Sequence, residues 1–270
     1  MRGYRPPILG SVPPVVKNIL IINVLMLLGS VITNYEKSVE LFGLFYPESE
    51  FFRPHQIITH MFMHGGITHL FFNMFALYMF GKVLEMVWGS KRFLIYYFVT
   101  GLGAMLMHML VTWIDIESIK TSIAVFNNTP TPELFSQIVR DNISRPTAML
   151  TDFINRFHEY PDNKFLISEA TVYANKILEL RMNVPVIGAS GAVFGVLLAF
   201  GMMFPNTQLM LLFPPIPIKA KWFVLGYGVL ELWLGVANRS GDNVAHFAHL
   251  GGMIFGFFLI RYWSKKFKRF

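Results

Sequence analysis

The chain has no cysteine and little charge. Without cysteine there are no disulfides, no thiolate metal sites and no cysteine nucleophile, and the redox compartment stays open. Charged residues make up 14% of the 270 residues, against about 25% in an ordinary globular chain. Apolar residues reach 54%, with 27 Phe and 16 Met, and mean hydropathy is +0.48. So much apolar surface excludes a disordered chain and a disulfide-stapled secreted scaffold, and implies a bilayer. The formal charge of +7 resembles a nucleic-acid signal until its location is considered.

Uncharged apolar runs occupy 18–35, about 66–81, 93–114, 184–204, 222–237 and 244–260. A bilayer core takes about 20 helical residues. The best count is six spans in an all-α, polytopic bundle, with five or seven as alternatives. The first run starts too late and runs too long for a cleaved signal, although Arg2 and Arg5 precede it. Pro205, Pro214, Pro215 and Pro217 turn the apolar stretch Pro205–Ile218 into an expected interfacial loop. Basic residues fall on alternate ends: Arg2, Arg5 and Lys17, then Lys82, Lys91 and Arg92, then Lys219 and Lys221, then Arg261, Lys265, Lys266, Lys268 and Arg269. The opposite short loops carry only Lys37, Arg53 and Arg239. Both termini are therefore expected on the cytoplasmic side, in a plasma or inner membrane. The basic tail is read as an anionic-lipid contact and not as a nucleic-acid site.

The chain divides into a first membrane segment (residues 1–113), an outer-side insertion (residues 114–183) and a second membrane segment (residues 184–270). Residues 115–183 carry seven Lys/Arg and nine Asp/Glu. Spacings such as Leu134/Ile138 and Ile154/Phe157, punctuated by Pro132, Pro146 and Pro161, predict short amphipathic helices. No catalytic motif stands out there. The sequons at Asn127 and Asn142 matter only in a secretory setting. The insertion is expected to select substrate or bind a partner, with a self-packed spacer as the alternative.

Three polar clusters interrupt the apolar runs. Gly188-Ala189-Ser190-Gly191 opens the fourth run, where the glycines either pack helices or clear space around Ser190 for a substrate backbone. Ser190 near a helix start would have free N–H groups beside it for an oxyanion. His249, Gly252 and Gly256 share one face of the sixth run. His69 and Asn73, four apart in the second, point the same way and could instead be packing glue. At a helical rise of 1.5 Å per residue, each cluster lies roughly 8–10 Å in from the outer side. A nucleophile, a base and an amide donor need that coincidence, whereas packing does not. Glu231 is read as a buried structural carboxyl, with an orienting role as the alternative, and His246 as an interfacial histidine. A Ser190–His249 dyad is the simpler model, and it requires a water-filled cavity in the outer half of the bundle.

With these residues the sequence resembles the rhomboid family of intramembrane serine proteases. Gly188–Gly195 matches the family's GxSG span, Ala248–Gly252 with Gly256 its histidine span, His64–Met74 its histidine–asparagine helix, and Glu85–Ser90 its ExxxGS signature. The resemblance covers about 1–113 and 184–270. It implies Ser190 as nucleophile, His249 as general base and acid, and an oxyanion site of His69, Asn73 and the Ser190 N–H beside Gly188. Phe194 would stack on His249 where many members have Tyr, and Phe52-Arg53 stands where they have Trp-Arg. No metal or cofactor is implied, and the substrates would be transmembrane helices of other proteins. The competing functions are a catalytically inactive client-binding relative and a transporter, although no internal repeat supports the latter.

Overall fold

The computed structural model describes residues 12–210, 215–237 and 246–267. Arg2, Arg5, Pro214, Arg239, Val244, Ala245, Lys268 and Arg269, used in the sequence reading, lie outside the described residues. The described chain is nearly all helical: α1 (Pro14–Thr33), α2 (Tyr35–Phe42), α3 (Gln56–Thr59), α4 (Ile67–Ala76), α5 (Lys82–Trp88), α6 (Ser90–Asn128), α7 (Pro132–Asn142), α8 (Ala148–Glu159), α9 (Lys164–Met182), α10 (Ser190–Met203), α11 (Ala220–Ala237) and α12 (His246–Phe267). A π-helical turn, Leu77–Gly81, joins α4 to α5. The proline-rich loop is pinned at its ends by a short antiparallel pair, β1 (Gln208–Met210) and β2 (Pro217–Lys219), in the register Leu209 to Ile218.

Among the described residues, four helices are long and apolar enough to cross a membrane: α1, the α4–α5 rod Ile67–Trp88, α6 and α11. Their outward faces stay apolar. On α1, Leu25 is 60% exposed and Ile32 79%. On α11, Trp233 and Val236 stand out in the same way. Exposed apolar faces on successive helices suit lipid, not water. The protein is therefore a multi-pass integral membrane protein. Helix α10 is equally apolar but only 14 residues long. The helix expected from Val184 begins only at Ser190. Pro185 disfavours a helical conformation before it, and Val186 instead exchanges two backbone hydrogen bonds with Leu44, at 2.9 and 2.8 Å.

Helix α10 sits in the middle, packed against α6 and α12. The close approaches are built from small residues. A Cβ on Gly191 would collide with Ala104 of α6, one on Gly195 with Thr100 of α6, and one on Gly252 with the Gly191 carbonyl. Gly256 meets Tyr96 and Thr100 of α6. Tyr96 in turn donates its hydroxyl to the Gly195 carbonyl at 2.8 Å. With no hydrophobic drive between helices in lipid, such contact is what association rests on.

The start of α1 is closed from 70 residues away. Pro14 occupies its first turn and no local side chain caps it. The N–H groups of Val15 and Val16 donate instead to the two carboxylate oxygens of Glu85, at 2.9 and 2.8 Å. Ser90 donates to the same carboxylate at 2.7 Å. Glu85, 2% exposed, thus satisfies orphan helix donors with a charge of the favourable sign.

The insertion has its own core. Helix α6 runs on for 39 residues, so the boundary expected at 113/114 falls within one continuous helix. Its last turns pack Ile119, Ile123 and Phe126 against Phe135, Phe153 and Phe157 of α7 and α8 and Ala170 and Ala174 of α9. Burying each such Phe contributes about 1.5–3 kcal/mol. Thr131, Thr147 and Asn163 accept N–H bonds at the starts of α7, α8 and α9. Two contacts tie the unit down, Lys120 to Glu48 and Ser49, whose hydroxyl donates to Asn183 Oδ1 at 2.6 Å, and Arg181 pairs with Asp115 at 2.8 Å within it.

Candidate active site

Ser190 is the first residue of α10, and the segment leading into it is held on both sides. Leu44 pairs with Val186, and the Gly188 N–H donates to the His60 carbonyl at 2.9 Å. Gly188 has φ +126°, a conformation that side-chain-bearing residues rarely adopt. A Cβ there would lie 2.9 Å from the nearest ring carbon of His69 and 3.7 Å from Ser190 Oγ. Glycine therefore leaves an open position between the Ser190 hydroxyl and the His69 ring.

His249 reaches Ser190 from α12, with Nε2 2.9 Å from Oγ. Phe194, one helical turn beyond Ser190, lies flat on the imidazole, with centroids 4.1 Å apart and planes 5° from parallel. The stack fixes the plane of the ring, which a single hydrogen bond would leave free to rock.

The second helix supplies the opposite wall. The Gly65 N–H donates to His69 Nδ1 at 3.2 Å, so in a neutral ring the proton sits on Nε2. That nitrogen is 3.0 Å from the Cβ position at Gly188. Asn73 is buried and donates Nδ2 to the His69 carbonyl at 3.0 Å. Ser190, His249, His69, Asn73 and Phe194 all line one cavity of about 1480 Å³. Asp115 and Arg181 line it from the insertion side.

Two further residues reach His249. Glu231, read as a buried structural carboxyl with an orienting role as the alternative, lies 2.9 Å from His249 Nδ1 through Oε2. His246, expected at the interface, is 7% exposed and lies 2.7 Å from the same oxygen through Nδ1. The reason is antiparallel geometry. Gly235 of α11 lies against His246 and Phe247 of α12, and Gly228 against Met253, so the two helices run antiparallel and Glu231 comes level with His246 and His249. Equal depth was the available signal.

His64 was not singled out either. It is fully buried with its ring centroid 4.9 Å from that of His69, and neither ring nitrogen has a hydrogen-bond partner among the described residues. Burial, then the neighbouring His69, pushes its imidazole down to about 4, so it is uncharged at neutral pH. Gln56, also fully buried, organises the outer loop before it. Its amide donates to the Glu40 and Phe51 carbonyls at 2.9 Å, and its oxygen accepts from the Arg53 N–H at 3.0 Å. The Arg53 guanidinium folds back onto the Glu50 and Phe52 carbonyls.

A hydroxyl at a helix start, an imidazole on it and a donor-lined space beside it can together support acyl transfer. The family model for the Rhomboid domain matches residues 50–115 and 165–266, skipping the middle of the insertion. The chain belongs to the rhomboid family. It is 34% identical over 111 residues to Rhomboid protein 1, mitochondrial, of Saccharomyces cerevisiae, covering 41% of this chain and 32% of that protein. An uncharacterized mitochondrial rhomboid protein of Schizosaccharomyces pombe is 27% identical over 219 residues, 78% of this chain and 52% of its own length. Rhomboid-like protein 11, chloroplastic, of Arabidopsis thaliana is 39% identical over 72 residues, 27% of this chain and 26% of its own length. The matches thus span about a quarter to a half of these relatives. Rhomboid proteins are generally intramembrane serine proteases, which frames the reading of this rhomboid chain.

Proposed function

We propose that this rhomboid protein is an intramembrane serine endopeptidase that cuts transmembrane helices of other membrane proteins. The observation that carries the reading is the 2.9 Å approach of Ser190 Oγ to His249 Nε2 inside a cavity. Ser190 attacks the scissile carbonyl while His249 Nε2 takes the hydroxyl proton. The tetrahedral oxygen forms in the space beside Gly188, where His69 Nε2–H and the Ser190 backbone N–H stabilise it, with Asn73 as a further donor. His249 then returns the proton to the leaving amine, and water drawn from the cavity repeats the cycle on the acyl-enzyme. Substrates are single helices that unwind locally, because an intact helix shields its scissile carbonyl. The presence of both Ser190 and His249 favours this over an inactive client-binding relative. Neither a metal nor a cofactor takes part.

The full bundle in this proposal has six spans, with α10 and α12 crossing alongside the four apolar helices. Both termini lie on the basic side, and the cavity opens on the opposite face. The relatives named mitochondrial and chloroplastic favour an organellar membrane over the plasma membrane, the basic side then facing the organelle interior. The insertion, whose Asp115 and Arg181 reach the cavity, selects substrate or docks a partner.

The test is cleavage of a single-span model substrate by the full chain in proteoliposomes. Ser190→Ala and His249→Ala should each abolish it while melting like wild type, and a serine-reactive probe should label wild type alone. Asn73→Ala or His69→Ala should lower kcat by about 10²–10³. Undiminished cleavage by Ser190→Ala would refute the assignment. A wild-type chain that binds the substrate without cutting it would favour the inactive relative.

A further inference from the structure

Helices α11 and α12 carry a carboxyl and a second imidazole that a two-residue mechanism leaves without a task. Glu231 is 6% exposed. A carboxylate inside a span is costly unless its charge is answered, and it marks function more often than packing. Here one oxygen, Oε2, meets two ring nitrogens: His246 Nδ1 at 2.7 Å and His249 Nδ1 at 2.9 Å.

We propose that Glu231 is a positioning residue for His249, turning the Ser190–His249 pair into a Ser–His–Glu relay. The inference rests on the protease reading above. A neutral imidazole carries one proton, on either nitrogen. Phe194 sets the plane of the ring but does not choose between its nitrogens. The carboxylate does, because it can only accept. It therefore holds the proton on Nδ1 and leaves the Nε2 lone pair facing Ser190 Oγ. With the opposite tautomer, Nε2–H would point at the hydroxyl and could not take its proton. When Nε2 receives the serine proton, the imidazolium is paired at once with a buried anion, and Glu231 itself stays unprotonated. His246 Nδ1–H, donating to the same oxygen at 2.7 Å, keeps the carboxylate aimed.

The same three side chains could ligate a metal ion, but their spacing speaks against it. Donor atoms about 2.0–2.1 Å from a tetrahedral zinc stand about 3.3 Å apart, whereas Glu231 Oε2 stands 2.7 and 2.9 Å from the two ring nitrogens, at hydrogen-bond distance.

The decisive comparison is wild type, Glu231→Gln and Ser190→Ala, each as the full chain in proteoliposomes, with kcat and KM on one single-span substrate. Glu231→Gln should lower kcat about 10²–10⁴-fold with KM within about twofold. A purely structural carboxyl would instead lower the folded fraction and leave kcat per labelled active site unchanged, and that result overturns the proposal. Cleavage by Ser190→Ala would defeat the protease reading itself. An inactive Ser190→Ala beside a fully active Glu231→Gln would defeat only the role of Glu231. Nitrogen-15 spectra of the histidine rings decide the point even if Glu231→Gln does not fold. The His249 resonance, identified by its loss in His249→Gln, should be the Nδ1–H tautomer in wild type and in Ser190→Ala. An Nε2–H ring at neutral pH overturns the proposal, as does loss of wild-type activity on chelation.

Discussion

Replacing Gly252 by alanine tests whether helix contact sets the catalytic distance. A methyl at Gly252 would overlap the Gly191 carbonyl, a backbone atom that cannot rotate away. Bringing that methyl out to 3.0 Å, the shortest separation real Cβ atoms show, requires the backbones of α10 and α12 to part by about 1 Å. Gly191 follows Ser190 directly, and Gly252 lies one turn beyond His249. The same displacement therefore opens the Ser190–His249 contact from 2.9 Å to beyond hydrogen-bond range. A misplacement of about 1 Å costs about 10²-fold in rate, and overpacking costs about 1–3 kcal/mol in stability. The assay pairs kcat on a single-span substrate with serine-probe labelling and melting in one detergent. Gly226→Ala is the control, because beyond its own helix backbone and chain neighbours no atom of the described residues lies within 4 Å of a Cβ there, and it should leave kcat unchanged. A Gly252→Ala chain with wild-type kcat and wild-type melting would refute the argument.

Glu85→Ala should lower stability by about 1.5–3 kcal/mol, since it strips a charged acceptor from two N–H groups of α1; thermal unfolding checks this, and kcat of the folded fraction should persist. The folded value of His64, about 4, lies below its unfolded value near 6.5, so its contribution is full above pH 6.5 and is lost as pH falls towards 4. At pH 5 His64→Phe should therefore gain about 2 kcal/mol on wild type relative to their difference at pH 7, read from melting at both pH values. Replacing residues 118–180 with a Gly/Ser linker should preserve probe labelling of Ser190 and cleavage of a minimal substrate while altering selectivity for larger ones. Lost labelling in a well-folded deletion would show that the insertion helps build the site.

Much of this protein is legible along the chain. Membrane residence follows from composition and from apolar runs, because a bilayer demands length and apolarity, both of which are local. The candidate residues Ser190, His249, His69 and Asn73 could be named because each is a polar exception in an apolar run. The punctuation of the insertion by Pro132, Pro146 and Pro161 was equally local: helices α7 and α8 lie between those breaks and α9 follows the last.

Other features needed the assembled bundle. The apolar run extended the fourth span back to Val184, but the pairing of Val186 with Leu44 and the positive φ of Gly188 hold that segment open until Ser190. Nothing near Glu85 in sequence indicates that it caps α1, and nothing near Glu231 indicates that one of its oxygens meets two histidines. Residue type and spacing report what a segment can bury and which side chains share its face. Which nitrogen faces which oxygen depends on how far apart two helices stand, and that distance is decided by glycines on one helix and backbone atoms on another.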